Sequence, residues 1–151
     1  MLKIASFTVD HDLLDPGIYV SRVDGNLTTY DLRIRKPNGG DYMDNRTMHT
    51  VEHMFATYVR NSEIKDSVIY FGPMGCRTGF YLITRDVPNE KVLEVTIDVL
   101  GKIIAHEGGV FGATRKECGN YQDLDLSDAK RECEKYLAVL KNKVNDFKYR
   151  G

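Results

Sequence analysis

Polar and apolar residues alternate over 29–35. Tyr30, Leu32 and Ile34 fall on one face, and Asp31, Arg33 and Arg35 on the other. This period of two predicts a half-buried strand. Residues 4–9 and 17–23 are shorter strand candidates. Gly25-Asn26 marks a turn and Pro37-Asn38-Gly39-Gly40 a longer loop. Over about 46–61 the period changes: Met48, Val51, Phe55, Tyr58 and Val59 recur at helical spacing, with Asp44 or Asn45 available as N-cap. Residues 67–71 and 80–85 return to strand. Between them, Gly72-Pro73-Met74-Gly75-Cys76-Arg77-Thr78-Gly79 carries three glycines and a proline, which predicts a shaped loop. A second helix runs over about 88–107, with Pro88 in its first turn and Gly108-Gly109 as its stop. Residues 110–126 have no regular period. Ser127 can cap a final helix reaching about Phe147, with Cys133, Leu137, Leu140, Val144 and Phe147 as its stripe. Strands ahead of helices, without regular alternation, predict an α+β fold whose antiparallel sheet packs against helices.

Composition narrows the classes. The 151 residues show no internal repeat or linker, so 1–151 reads as a single domain. Lys+Arg is 21 and Asp+Glu is 22, a net charge of −1, which argues against a protein that grips nucleic-acid phosphates. No run approaches the ~20 apolar residues of a membrane helix, and the N-terminus turns acidic too early for a signal peptide. Three cysteines without an export signal point to a reducing cytoplasm and to thiols kept for chemistry, metal or packing.

The sharpest chemical signal is His49-Thr50-Val51-Glu52-His53. Histidines four apart sit one helical turn apart, rotated by only ~40°, so both imidazoles can reach one cation. Glu52 points to the same side and can exchange protons with a bound substrate without being a ligand. A third ligand is needed, and Cys118 is the candidate, in an irregular polar stretch with no apolar period to explain it as core. Cys133 lies on the apolar stripe of the last helix and reads as packing. Cys76 sits in the glycine-rich loop beside Arg77, where backbone N–H groups and a guanidinium favour thiolate, so it is a candidate acid/base or nucleophile. Ser6, His11 and Arg33 are polar residues on or beside early strands. His-x-x-Glu-His is also the signature of inverted zinc peptidases, a reading that gives Cys76 no role. A non-catalytic metal-binding module is a third reading.

Ser6-Phe7 and Asp10-His11 near the start, Asp31-Leu32-Arg33 before Pro37-Asn38, HTVEH at 49–53, PMGCRTGFYL at 73–82, and Cys118-Gly119 before Asp123-Leu124 occur in one order. Together they resemble the S-ribosylhomocysteine lyases, the LuxS family, over most of the chain. The resemblance implies a homodimer with active sites at the interface. It also implies one divalent metal per subunit, natively Fe2+ with Zn2+ or Co2+ as substitutes, held by His49, His53 and Cys118. Glu52 and Cys76 would be the proton-transfer residues, and Ser6, His11 and Arg33 substrate-site positions. The implied reaction splits S-ribosylhomocysteine into homocysteine and 4,5-dihydroxy-2,3-pentanedione, the precursor of autoinducer-2. Two departures stand out. Many members read D-I-S-P-M-G-C, whereas here Tyr70-Phe71-Gly72 precedes the Pro-Met-Gly-Cys. Residues 13–26 lack the family's commoner A-P-Y-V-R run, and no role is carried onto Arg22.

Overall fold

The computed structural model describes residues 1–150. Among them the chain forms a four-stranded antiparallel sheet and three α-helices, the α+β class expected. Strands β1 (Gly17–Asp24) and β2 (Leu27–Arg33) form a hairpin, α1 (Asn45–Val59) follows, and β3 (Val68–Pro73) and β4 (Gly79–Arg85) form a second hairpin. Helices α2 (Asn89–Ala105) and α3 (Leu126–Lys141) come last. The spatial order is β1-β2-β4-β3, so the two hairpins join through β2 and β4. Gly25 takes φ +61°, as the first central residue of a two-residue hairpin turn requires.

One sheet face carries Tyr30, Leu32, Phe80 and Leu82 into the core, where Met48, Val51, Met54, Phe55 and Val59 of α1 meet them. Phe55 stacks on Phe71 with centroids 4.4 Å apart, and Phe71 on Phe80 at 5.1 Å. This aromatic ladder fixes α1 against the second hairpin; each such pair is worth about 0.5–1.5 kcal/mol beyond its buried area. Asp44 caps α1 by accepting the Thr47 N–H at 2.7 Å. That bond first, and the nearby Arg46 charge last, hold its carboxyl below the ordinary carboxylate range.

Four expectations change. Residues 4–9 are not a strand. Ala5–Phe7 is a 3-10 turn, because the Thr8 amide and hydroxyl both donate to the Ala5 carbonyl and close the backbone locally. Asp125, not Ser127, caps α3, its carboxylate accepting the Asp128 N–H at 3.2 Å. The same helix ends at Lys141 rather than near Phe147. The Asn145 side-chain amide donates to the Leu140 carbonyl there, and Val144 is 94% exposed. Phe147 reaches the core from outside the helix, bridged to Tyr19 of β1. Finally, Asp31 and Arg33 lie on the sheet face away from the helices and yet are only 1% and 3% exposed. Segment 146–150 comes back over β1 and covers them: the Phe147 carbonyl accepts Val20 N–H at 2.8 Å, and Tyr149 stacks on Tyr19.

Candidate metal centre and active site

Helix α1 presents His49 and His53 from successive turns, with ring centroids 4.6 Å apart and planes nearly perpendicular. Each ring is fixed from behind. His49 Nδ1 is 2.9 Å from the Asp123 carbonyl, and His53 Nδ1 is 2.8 Å from the Phe111 carbonyl. A carbonyl can only accept, so both rings donate Nδ1–H and keep the Nε2 lone pair free. Cys118 Sγ lies 3.4 Å from His49 Nε2, and the Asn120 N–H points at the same sulfur. One ligand atom from each of His49, His53 and Cys118 lies within 4.8 Å of the others.

Two imidazole nitrogens and a sulfur suit Zn2+ or Fe2+, and three protein ligands leave coordination positions open, as catalytic sites do. The donor set therefore fits a divalent metal. The irregular stretch 110–126 is what brings Cys118 here. Thr50 of α1 anchors it by accepting the Asp125 N–H at 2.8 Å while donating to Arg46 O. Gly112, at φ +68°, lets that backbone pass His53: a Cβ there would sit 3.2 Å from Nδ1. Phe111 is wedged against Tyr58 and His106, and the Tyr58 hydroxyl and His106 Nδ1 are 2.7 Å apart.

Glu52 is half-buried and lines a cavity of about 250 Å³ with His49 and Met48 on one side and Pro73, Met74, Gly75 and Arg77 on the other. The cavity thus spans from the histidine helix to the β3–β4 turn that carries Cys76. That turn closes on itself through Met74 N–H to Gly79 O at 2.9 Å. Gly79 is obligatory, since a Cβ would meet Leu32 O at 2.4 Å. Its pairing with Arg33 brings that residue beside the turn.

Cys76 is exposed, its Sγ 3.0 Å from Thr78 Oγ1 and 3.9 Å from Arg33 NH1. The guanidinium facing the thiol is therefore Arg33, not the expected Arg77. Arg77 turns away to lie over Tyr42 and donate to Met43 O. Arg33 is locked by Asp31 through Nε at 3.1 Å and NH2 at 2.6 Å, and its NH1 donates to Thr78 Oγ1 at 2.8 Å. Burial opposes its charge, but the bond and charge of Asp31 outweigh that and raise its pKa further. Cys133 is in the core, where burial pushes its thiol up to about 12 and leaves it inert.

Ser6 stands elsewhere. It lines a second cavity, of about 300 Å³, on the sheet face that carries Asp31, with Ile4, Tyr70 and Tyr81. His11 donates its Nδ1–H to Val9 O within the loop before β1. Within this one chain, His49 of the metal group, Glu52 and the neighbours of Cys76 in its turn border a common space, while Ser6 and His11 belong to the N-terminal segment. Tyr70 folds back over Gly72, where a Cβ would overlap its phenol ring, so the Tyr70 and Gly72 departures are one packing change. Asp123, Phe111, Gly112, Thr78 and Asp31 support the site without having stood out as chemical groups. Gly112 alone offered a local signal, as a glycine in an irregular polar stretch.

A profile of the S-ribosylhomocysteinase (LuxS) family matches residues 4–146. The S-ribosylhomocysteine lyase of Borrelia garinii subsp. bavariensis is 45% identical over 99% of both chains. That of Finegoldia magna is 48% identical over 94% of both. That of Clostridium acetobutylicum is 43% identical over 97% of this chain and 96% of its own.

Proposed function

The chain belongs to the S-ribosylhomocysteinase (LuxS) family, and on that premise we propose that it is a metal-dependent lyase cleaving S-ribosylhomocysteine to homocysteine and 4,5-dihydroxy-2,3-pentanedione. The observation that carries the reading is the convergence of His49, His53 and Cys118 beside a cavity reached by Glu52 and the turn holding Cys76. His49, His53 and Cys118 would hold one divalent cation per subunit, Fe2+ in the native enzyme. Bound there, it would supply Lewis-acid stabilisation of negative charge on the sugar oxygens.

The thioether is cleaved only once a carbonyl lies two carbons from the sulfur-bearing one. The sugar carbonyl must therefore move from its first carbon to the second and then the third. Each move takes a proton from a carbon and returns one to its neighbour, with matching transfers between oxygens. Cys76, its sulfur facing the Thr78 hydroxyl and Arg33, serves the carbon positions as the thiolate that accepts and returns a proton. Glu52, on the helix side of the cavity, moves the protons between oxygens. With the carbonyl on the third carbon, loss of the proton from the fourth expels the sulfur from the fifth, and homocysteine leaves after protonation.

The active enzyme is a cytoplasmic homodimer in this reading. The apolar cavity around Ser6, with exposed Ile4, Phe7 and Tyr70 nearby, supports burial of that face against a second copy. Such a contact would bring Ser6 and His11 to the partner's substrate. The pentanedione feeds the autoinducer-2 signal. An anaerobic assay with iron-loaded protein, following free thiol from S-ribosylhomocysteine, tests the reading. Stoichiometric homocysteine is the expected result, and its absence overturns the assignment.

A further inference from the structure

Segment 146–150 ends on a polar contact that packing alone does not require. The Tyr149 hydroxyl donates to Asp31 Oδ2 at 2.7 Å, while its ring stacks on Tyr19 with centroids 5.2 Å apart. The same Asp31 oxygen accepts Arg33 NH2, and Arg33 NH1 donates to Thr78 Oγ1. Having accepted that bond, the Thr78 hydroxyl keeps its own proton for Cys76 Sγ, 3.0 Å away. The contacts form one line from Tyr149 through Asp31, Arg33 and Thr78 to Cys76. Tyr149 lies outside the matched residues 4–146.

We infer that Tyr149 is a positioning residue for Cys76, acting through Asp31 and Arg33. A carboxylate gripping Arg33 in two places neutralises most of its charge and lessens what reaches the sulfur. A hydroxyl donated to Asp31 takes part of that carboxylate's electron density, so Arg33 stays more positive toward Thr78 and Cys76. Hydrogen bonds in such chains polarise one another, most strongly where water is excluded, as it is from Asp31 and Arg33. The other charged or titratable groups near Cys76 are Tyr81 on β4, opposite Asp31; Arg77 beside it, turned to Tyr42 and Met43; and Glu52 across the cavity on α1. The Tyr149 hydroxyl is donated to Asp31, and its ring is stacked on Tyr19.

The inference rests on the proposed use of Cys76, and its test needs no turnover. Metal-loaded wild-type and Tyr149→Phe proteins are alkylated with iodoacetamide between pH 6 and 10, and Cys76 is followed by peptide mass spectrometry apart from Cys118 and Cys133. Phe keeps the ring that stacks on Tyr19 and removes the hydroxyl, with its bond to Asp31 and its contact with Ser21, which is not part of the line to Cys76. The expected result is a rate–pH profile displaced upward, with alkylation at pH 7 slowed about threefold, the equivalent of half a pKa unit, and an unchanged plateau at high pH. Superimposable profiles overturn the inference, whatever happens to the melting temperature. If Tyr149→Phe proves unstable, Asp31→Asn supplies the opposite arm: it weakens the grip on Arg33 and must not slow alkylation. Wild-type protein that alkylates as expected but releases no thiol from S-ribosylhomocysteine would count against the lyase reading and leave this one standing.

Discussion

A Cys76→Ala chain keeps all three candidate metal ligands, since the β3–β4 turn lies across the cavity from them. It should bind metal as the parent does and lose thiol release by at least about a hundredfold, the lower range for a positioned acid–base group. His49→Ala should lose metal and activity together, and metal analysis beside the thiol assay separates the two cases. Gly112→Ala probes the support behind the ligand. Its Cβ would press on His53 Nδ1 from a backbone at φ +68°, so the Phe111 carbonyl must shift. A competition titration with a chelator should show metal affinity reduced about 10–100-fold, the usual cost of disturbing a ligand's hydrogen-bond partner. Unchanged affinity would mean that the ring needs no such holder. The ligands themselves were readable, because two histidines one turn apart and an unexplained cysteine announce their chemistry. Their holders were not: Asp123 and Phe111 act through backbone carbonyls, which every residue possesses. The resemblance marks Arg33 as a substrate-site position, but its approach to Cys76 depends on strand register.

At the scale of elements, the periodic segments predicted best. The α1 stripe of Met48, Val51, Phe55 and Val59 is buried as its spacing requires, with Tyr58 of the same stripe half-buried, whereas β2 sends Tyr30 and Leu32 into the core and is buried at Asp31 and Arg33 as well. Element ends followed hydrogen bonds that periodicity does not encode, as at Asp125 and Asn145. The α1 cap matters because the helix carries both histidines. Removing the side chain in Asp44→Ala should cost about 1 kcal/mol. The folded Asp44 carboxyl titrates below its ordinary 3.8, so the bond stabilises the fold above that value and is lost as pH falls through the lower folded one. Denaturant melts of parent and variant should therefore differ fully at pH 6 and converge once pH has fallen through the lowered folded pKa. A gap that persists in acid would assign the stabilisation to something other than the carboxylate.

For the molecule as a whole, the distribution of the core decides what metal removal does. The apolar residues of the sheet, α1, α2 and α3 form one cluster, and the metal group stands at its edge, tied to it by α1. A chain that buries this much without the metal does not need it to fold, unlike small domains organised around a structural zinc. Binding still adds stability by mass action: about 2.7 kcal/mol when free metal is a hundredfold above Kd. In a domain of this size that corresponds to roughly 5–10 °C in Tm. Anaerobic protein treated with excess chelator should thus keep its circular dichroism spectrum and a single cooperative melt, shifted down by about that amount, and recover on adding back Fe2+. Loss of cooperative unfolding on chelation would instead mean that segment 110–126 and α1 are held together by the metal. The site would then be structural first, and the three-ligand geometry would no longer imply positions open to substrate.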